Sequence, residues 1–160
     1  MAVGKSAVGR VLARRLKRRF IDLDKVIEKT QGMRVKEIFA VKGEPHFREL
    51  EKQALAEVVS SGQHVIATGG GAVLDADTLR VLLDETLLVC LTASPEALLK
   101  RTGSGSARPL LNGGERKSQI ENLLRLRAQA YGNAHFTIDT TDLTVNQVVE
   151  RILEMTKLES

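Results

Sequence analysis

Tryptophan is absent from this 160-residue chain, tyrosine occurs once and phenylalanine four times. So few rings offer little for stacking nucleic-acid bases. The stretch from Met1 to Phe20 nevertheless holds seven Lys or Arg and no Asp or Glu. Its run RRLKRRF reads as the solvated face of a first helix rather than a nucleic-acid module. A net charge of +4 permits an anionic ligand but names none. A single cysteine, Cys90 within LLVCL, excludes an internal disulfide and reads as a small buried side chain in a reducing cytosol. No apolar run approaches the roughly 18 to 20 residues that span a bilayer, and the start lacks the apolar core of a secretory signal. The expectation is a cytoplasmic protein with neither membrane nor nucleic-acid partners. His46, His64 and His135 are scattered without metal-ligand spacing, which argues against a structural zinc site. Three prolines form no linker-like cluster, so residues 1–160 read as one domain with a substantial core.

What the chain does contain is an alternation of helical and extended patterns. Val8, Val11, Leu12 and Leu16 recur at helical spacing between Ser6 and about Arg19, and FIDLD follows as a short strand edge. Helices are expected over DKVIEKTQ, VKEIFAVK and PHFRELEKQALAEVVS, broken at Gly32, Gly43 and Gly62. HVIATGGG is a buried strand running into glycines, DADTLRVLL a helix and TLLVCLT a strand. SPEALLKR is a helix with Ser94 as N-cap and Pro95 at its first position. TGSGSARPLLNGGE has the composition of a surface lid, spanning about residues 103–115. A helix over ERKSQIENLLRLRAQAYGNAH, a strand FTIDT and an amphipathic helix TVNQVVERILEMTK complete the chain. Short strands alternating with helices imply an α/β fold, a parallel sheet covered on both faces with ligands at the strands' carboxyl ends.

Several residue groups could carry chemistry. Gly4-Lys5-Ser6 is the second half of a Walker A loop, G-x-x-x-x-G-K-[ST], although GKS is also a common tripeptide before a helix. In the loop reading, backbone N–H groups and Lys5 meet phosphate while the Ser6 hydroxyl holds Mg²⁺. Asp22 and Asp24, two apart on a strand edge, would face one side and divide work between metal and substrate; alternatively Asp24 caps the helix KVIEK. Gly69-Gly70-Gly71 follows VIAT, and three glycines exceed what a tight turn needs, which favours a close approach of ligand to backbone. Arg127 interrupts the stripe Ile120, Leu124, Tyr131, where a buried guanidinium requires an anionic partner. Arg48 lies three residues before Glu51, so a local ion pair or a fork held ready for a carboxylate fits it. Arg108 in the lid could meet charge on a transferring phosphoryl group, and Arg101 could lie near a nucleotide or complement a helix C-terminus.

In this order, GKS, FIDLD, GEPHFRELE, GGG, RPLL and RAQAY resemble the motifs of the shikimate kinase family over almost the whole chain. The resemblance implies a three-layer α/β/α P-loop kinase fold of strand order 2-3-1-4-5. It implies ATP bound by Gly4, Lys5, Ser6 and Ala7, Mg²⁺ at Ser6 and Asp22, and Asp24 on the shikimate hydroxyls as the base. Arg48 and Arg127 would clamp the shikimate carboxylate, and Gly69, Gly70 and Gly71 would line the pocket. Arg108 would approach the phosphates and Arg101 would lie against the adenine. The implied reaction is transfer of the ATP γ-phosphate to the 3-hydroxyl of shikimate by a monomer, on the route to chorismate and the aromatic amino acids.

One departure accompanies the match. The family's central strand and the first Walker A glycine would precede Met1. A missed upstream start, a fragment or a short form with another arrangement would each account for it, the first being the expectation. A non-catalytic shikimate- or nucleotide-binding regulator on the same fold is the alternative function.

Overall fold

A computed structural model describes residues 3–102 and 113–158, so the expected lid with Arg108 lies outside the described residues apart from the backbone at its C-terminal end. The chain forms two compact units, Ser6–Leu87, and Met1–Lys5 together with Leu88–Ser160.

In the Ser6–Leu87 unit, α1 (Lys5–Leu16) leads into β1 (Arg19–Asp22). The helix is shorter than its apolar spacing suggests, because Lys17 turns into the left-handed region at φ 53°. There the Lys17 N–H donates to the Arg14 carbonyl at 3.3 Å and the Arg18 N–H to the Ala13 carbonyl at 2.9 Å. This is a Schellman closure, which satisfies two orphan carbonyls and reverses the chain. The helices α2 (Leu23–Gln31) and α3 (Val35–Ser60) follow, then β2 (His64–Ala67), a short 3₁₀ turn at Ala72–Leu74 and α4 (Ala76–Glu85). The break expected at Gly43 falls inside α3 as a kink, with φ 81° and ψ 168°, and Pro45 follows where its missing N–H is tolerated. Leu23, Ile27, Ile38 and Leu55 are buried to 2% or less and belong to the core of the unit. Strand β1 runs parallel to β2, with Arg19 opposite His64 and Asp22 opposite Ala67. This register places the carboxyl ends of both strands, and the segments that leave them, at one edge.

The cap of α4 is Asp75, whose Oδ1 accepts from both the Thr78 N–H and the Thr78 hydroxyl at 2.8 Å. Those bonds hold its carboxyl below the ordinary carboxylate range. The stabilisation is therefore present above the unfolded pKa and lost as pH falls through the depressed folded value. Asp75→Ala is expected to lower stability at neutral pH by about 1 kcal/mol. Denaturant melts at neutral and strongly acid pH check this, and a difference that persists undiminished into acid would contradict the capping role.

In the other unit β3 (Val89–Thr92) runs parallel to β4 (Phe136–Asp139), with Val89 opposite Phe136 and Thr92 opposite Asp139. The helices are α5 (Pro95–Thr102), α6 (Gly113–Tyr131) and α7 (Val145–Leu158). Ser94 caps α5 as its sequence suggests, its Oγ accepting from the Ala97 N–H at 3.2 Å. Thr144 and Gln147 form a reciprocal capping box on α7. Buried Ala93, Leu98 and Ile120 make a cluster against which Val3, Ala97, Leu99 and Leu124 pack, and this contact ties the residues before α1 to the second unit.

The α/β class and the parallel pairing accord with expectation. The pairs β1-β2 and β3-β4 are separate two-stranded sheets, one in each unit. Among the described residues no further strand pairs with either sheet. Asp24 requires a correction: β1 ends at Asp22 and α2 begins at Leu23. Asp24 therefore stands in the first helical turn, and the two-residue strand period that was to aim it beside Asp22 does not apply. Nor is it the cap, a position held by Asp22 without a side-chain bond to the helix. No helix among the described residues is long and apolar enough to cross a membrane.

Candidate functional site

The functional groups of the Ser6–Leu87 unit collect where β1 and β2 end. Ser6 lies in the first turn of α1, and its Oγ donates to Asp22 Oδ2 at 2.9 Å, across sixteen residues of sequence. A hydroxyl and a carboxylate in contact are hard oxygen donors, suited to Mg²⁺. Among the described residues no group of three or more His, Cys, Asp or Glu could hold a metal. A cation at Ser6 and Asp22 would thus complete its shell with water and phosphate oxygens, as Mg²⁺ commonly does. Ser6 and Asp22 fit that ion. Gly4 precedes the helix at φ 89°, and Ala7 is exposed in its first turn. Lys5 lies near enough to Cys90 on β3 to draw its thiol pKa down, although burial dominates and pushes that thiol up.

Arg48, on α3 past the kink, is forked between two acids. Its Nη1 donates to Glu51 Oε2 at 2.7 Å, while Nη2 and Nε donate to Glu44 Oε1 at 2.9 and 3.3 Å. The local ion pair anticipated as the plain account of Arg48 is present. The two acids differ, however: the Glu44 side chain is 60% exposed and the Glu51 side chain 1%. Glu44 can be exchanged for another carboxylate at little expense, whereas Glu51 is a permanent fixture. Burial pushes the Glu51 carboxyl up, with Arg48 opposing and the charges of Asp24 and Asp75 adding to the rise. For Arg48, burial works against the charge, but Glu44 and Glu51 outweigh it and its pKa lies above the ordinary value.

The glycine triplet is a seat for this pair. A Cβ on Gly71 would come within 2.8 Å of Arg48 Cζ and 2.9 Å of Nη1, and closer still to Nη2. A Cβ on Gly69 would stand 2.7 Å from Glu51 Oε1 and 3.5 Å from Asp24 Oδ1. Glycine is needed at both places because side chains from α2 and α3 occupy the space. Asp24, Arg48 and Glu51 are thereby gathered against one loop. Sequence reasoning weighed a tight turn against a ligand for the triplet and gave Glu51 only as a local ion-pair partner of Arg48. The R-x-x-E spacing was the available signal, but the burial of Glu51 was not legible in it. Glu51 Oε1 has no hydrogen-bond partner among the described residues, an unusual state for a buried carboxylate oxygen.

In the second unit, Arg127 stands half-buried on α6, as its place in the apolar stripe implied. Its Nη1 reaches Tyr131 Oη at 3.4 Å, and its buried Nε has no partner among the described residues. Arg101, at the end of α5, donates from Nη1 to Thr140 Oγ1 at 2.9 Å and from Nη2 to the carbonyls of Thr140 and Thr141. The sequence offered no sign of that anchorage, which crosses thirty-nine residues.

The family model for shikimate kinase matches residues 1–157 of this chain. The shikimate kinase of Pelotomaculum thermopropionicum is 41% identical over 157 residues, 98% of this chain and 91% of that protein. That of Moorella thermoacetica is 45% identical over 98% of this chain and 90% of its own length. Among solved structures, shikimate kinase from Bacteroides thetaiotaomicron superposes with a TM-score of 0.90 at 33% identity, over 98% of this chain and 94% of that one. The Acinetobacter baumannii shikimate kinase in complex with shikimate gives a TM-score of 0.88 at 34% identity, over 100% of this chain and 90% of that one.

Proposed function

This chain belongs to the shikimate kinase family, and from that premise we propose that it transfers the γ-phosphoryl group of ATP to the 3-hydroxyl of shikimate. The observation that carries the reading is the gathering of Asp24, Arg48 and Glu51 against Gly69 and Gly71. Such a seat suits a small carboxylated triol. Arg48, kept in place by Glu51, exchanges Glu44 for the substrate carboxylate, and Arg127 supplies the second guanidinium through its unengaged Nε. Asp24 accepts the proton of the attacking hydroxyl. Gly69, Gly70 and Gly71 present backbone rather than side chain to the ring.

On the nucleotide side, the N–H groups at the start of α1, from Gly4 to Ala7, together with Lys5, hold the phosphates. Mg²⁺ at Ser6 and Asp22 supplies charge neutralisation across the phosphates when bound. We assign Arg101 to the adenine and Arg108 to the transferring phosphoryl group. Loss of phosphate to water is avoided if closure of the lid excludes solvent. The product, 3-phosphoshikimate, leads toward chorismate and the aromatic amino acids, and we place the enzyme in the cytoplasm as a monomer.

A coupled ADP-release assay with ATP, Mg²⁺ and shikimate tests the proposal. Shikimate-dependent ADP release is expected. Binding of shikimate and ADP without turnover would leave the non-catalytic regulator as the better reading. Arg127→Ala is expected to raise the shikimate KM by about tenfold to a hundredfold, in line with a lost charge-assisted bond, while the ATP KM changes little. Equal effects on both substrates would remove Arg127 from the clamp.

A further inference from the structure

Thr140 follows β4 and is 2% exposed. Its N–H donates to the Thr92 carbonyl at 2.8 Å, continuing the ladder one residue beyond the end of β4. Its hydroxyl donates to the same carbonyl at 2.9 Å. With its proton committed there, Oγ1 keeps lone pairs for one incoming donor, and Arg101 Nη1 fills that role at 2.9 Å. The Thr140 carbonyl accepts from Arg101 Nη2, which also reaches the Thr141 carbonyl at 3.2 Å. The loop itself is tied down, since Asp139 Oδ1 accepts from the Thr141 N–H at 2.9 Å and hydroxyl at 2.6 Å, and the Ser94 N–H donates to Thr141 Oγ1 at 2.9 Å.

The result is a guanidinium fixed by its edge. Arg101 spends its donors on carbonyl and hydroxyl oxygens, yet the residue remains exposed and makes no ion pair among the described residues. Donors already engaged cannot grip a phosphate bidentately. A planar cation held at one edge offers a face instead, and a face is complementary to a flat aromatic ring. We propose that Thr140 is a positioning residue that orients the guanidinium of Arg101 face-on to the purine of the nucleotide. The inference rests on the kinase reading, and it adds to it the residue that fixes the guanidinium.

The test is calorimetric binding of ADP and of inorganic tripolyphosphate to the wild type and to Thr140→Val, Thr140→Ser, Arg101→Ala and the Arg101→Ala/Thr140→Val double variant. Valine keeps the shape and removes both hydroxyl bonds, whereas serine keeps them. Thr140→Val is expected to weaken ADP about three- to tenfold, the size of one or two lost neutral bonds acting through Arg101. Thr140→Ser should restore the affinity, the double variant should be no worse than Arg101→Ala alone, and tripolyphosphate should bind all forms equally. An additive double variant, a serine variant as weak as the valine one, or an equal loss for tripolyphosphate would overturn the proposal and leave the kinase reading standing. A wild-type chain that binds no ADP would overturn the kinase reading itself, and the proposal with it.

Discussion

Replacing Asp24 with asparagine lowers kcat by about 10²- to 10⁴-fold, the range over which a positioned general base contributes, and leaves ADP affinity unchanged. The substitution is nearly isosteric, so α2 keeps the packing of its buried Leu23 and Ile27. What changes is one oxygen, replaced by an N–H₂ group that donates and cannot accept a proton from an attacking hydroxyl. Because Asp24 Oδ1 borders the space left by Gly69, and the buried carboxylate of Glu51 borders it too, the asparagine amide has an acceptor nearby. The variant should therefore fold and bind shikimate. Steady-state kinetics beside calorimetry would separate the effects. A variant that turned over at the wild-type rate would show that Asp24 does not take the proton.

Gly71→Ala is the second large effect, and it works entirely through Arg48. The new methyl would lie well inside contact distance of the guanidinium, 2.8 Å from Cζ. A flexible side-chain tip ordinarily moves aside. Arg48 has less freedom, because its Nη1 is held at 2.7 Å by Glu51, a side chain only 1% exposed, and leaving that partner would strand a buried carboxylate. Movement thus either breaks the pair or turns the fork away from the substrate. The shikimate KM is expected to rise by about tenfold to a hundredfold, equivalent to about 1.4 to 2.8 kcal/mol, with the ATP KM within about twofold of wild type. An unchanged shikimate KM would mean that Arg48 serves only the ion pairs in which it already stands.

Helices and short strands were readable from spacing because each is a local matter, decided within a few turns by apolar period, caps and breakers. Ser94, Gly43 and the amphipathic α7 behave as their neighbourhoods dictate. Asp24 was misplaced for the same reason. FIDLD satisfies a strand period over five residues, but strand β1 stops at Asp22, where its pairing with β2 ends at Ala67. Pairing length depends on a segment more than forty residues away and cannot be read from the strand alone.

By itself, the order of the motifs from GKS to RAQAY determined the family, and with it the expected reaction and the residue types that the reaction requires. Charge and hydroxyl chemistry belong to single residues and survive in a one-dimensional string. Only the tertiary structure decided which groups are in contact: that Ser6 meets Asp22, that Gly69 and Gly71 make room for Glu51 and Arg48, and that Thr140 holds Arg101. The physical reason is that burial and close approach are properties of pairs far apart in sequence. A glycine is required by the atoms lying against it, and those atoms arrive from other elements.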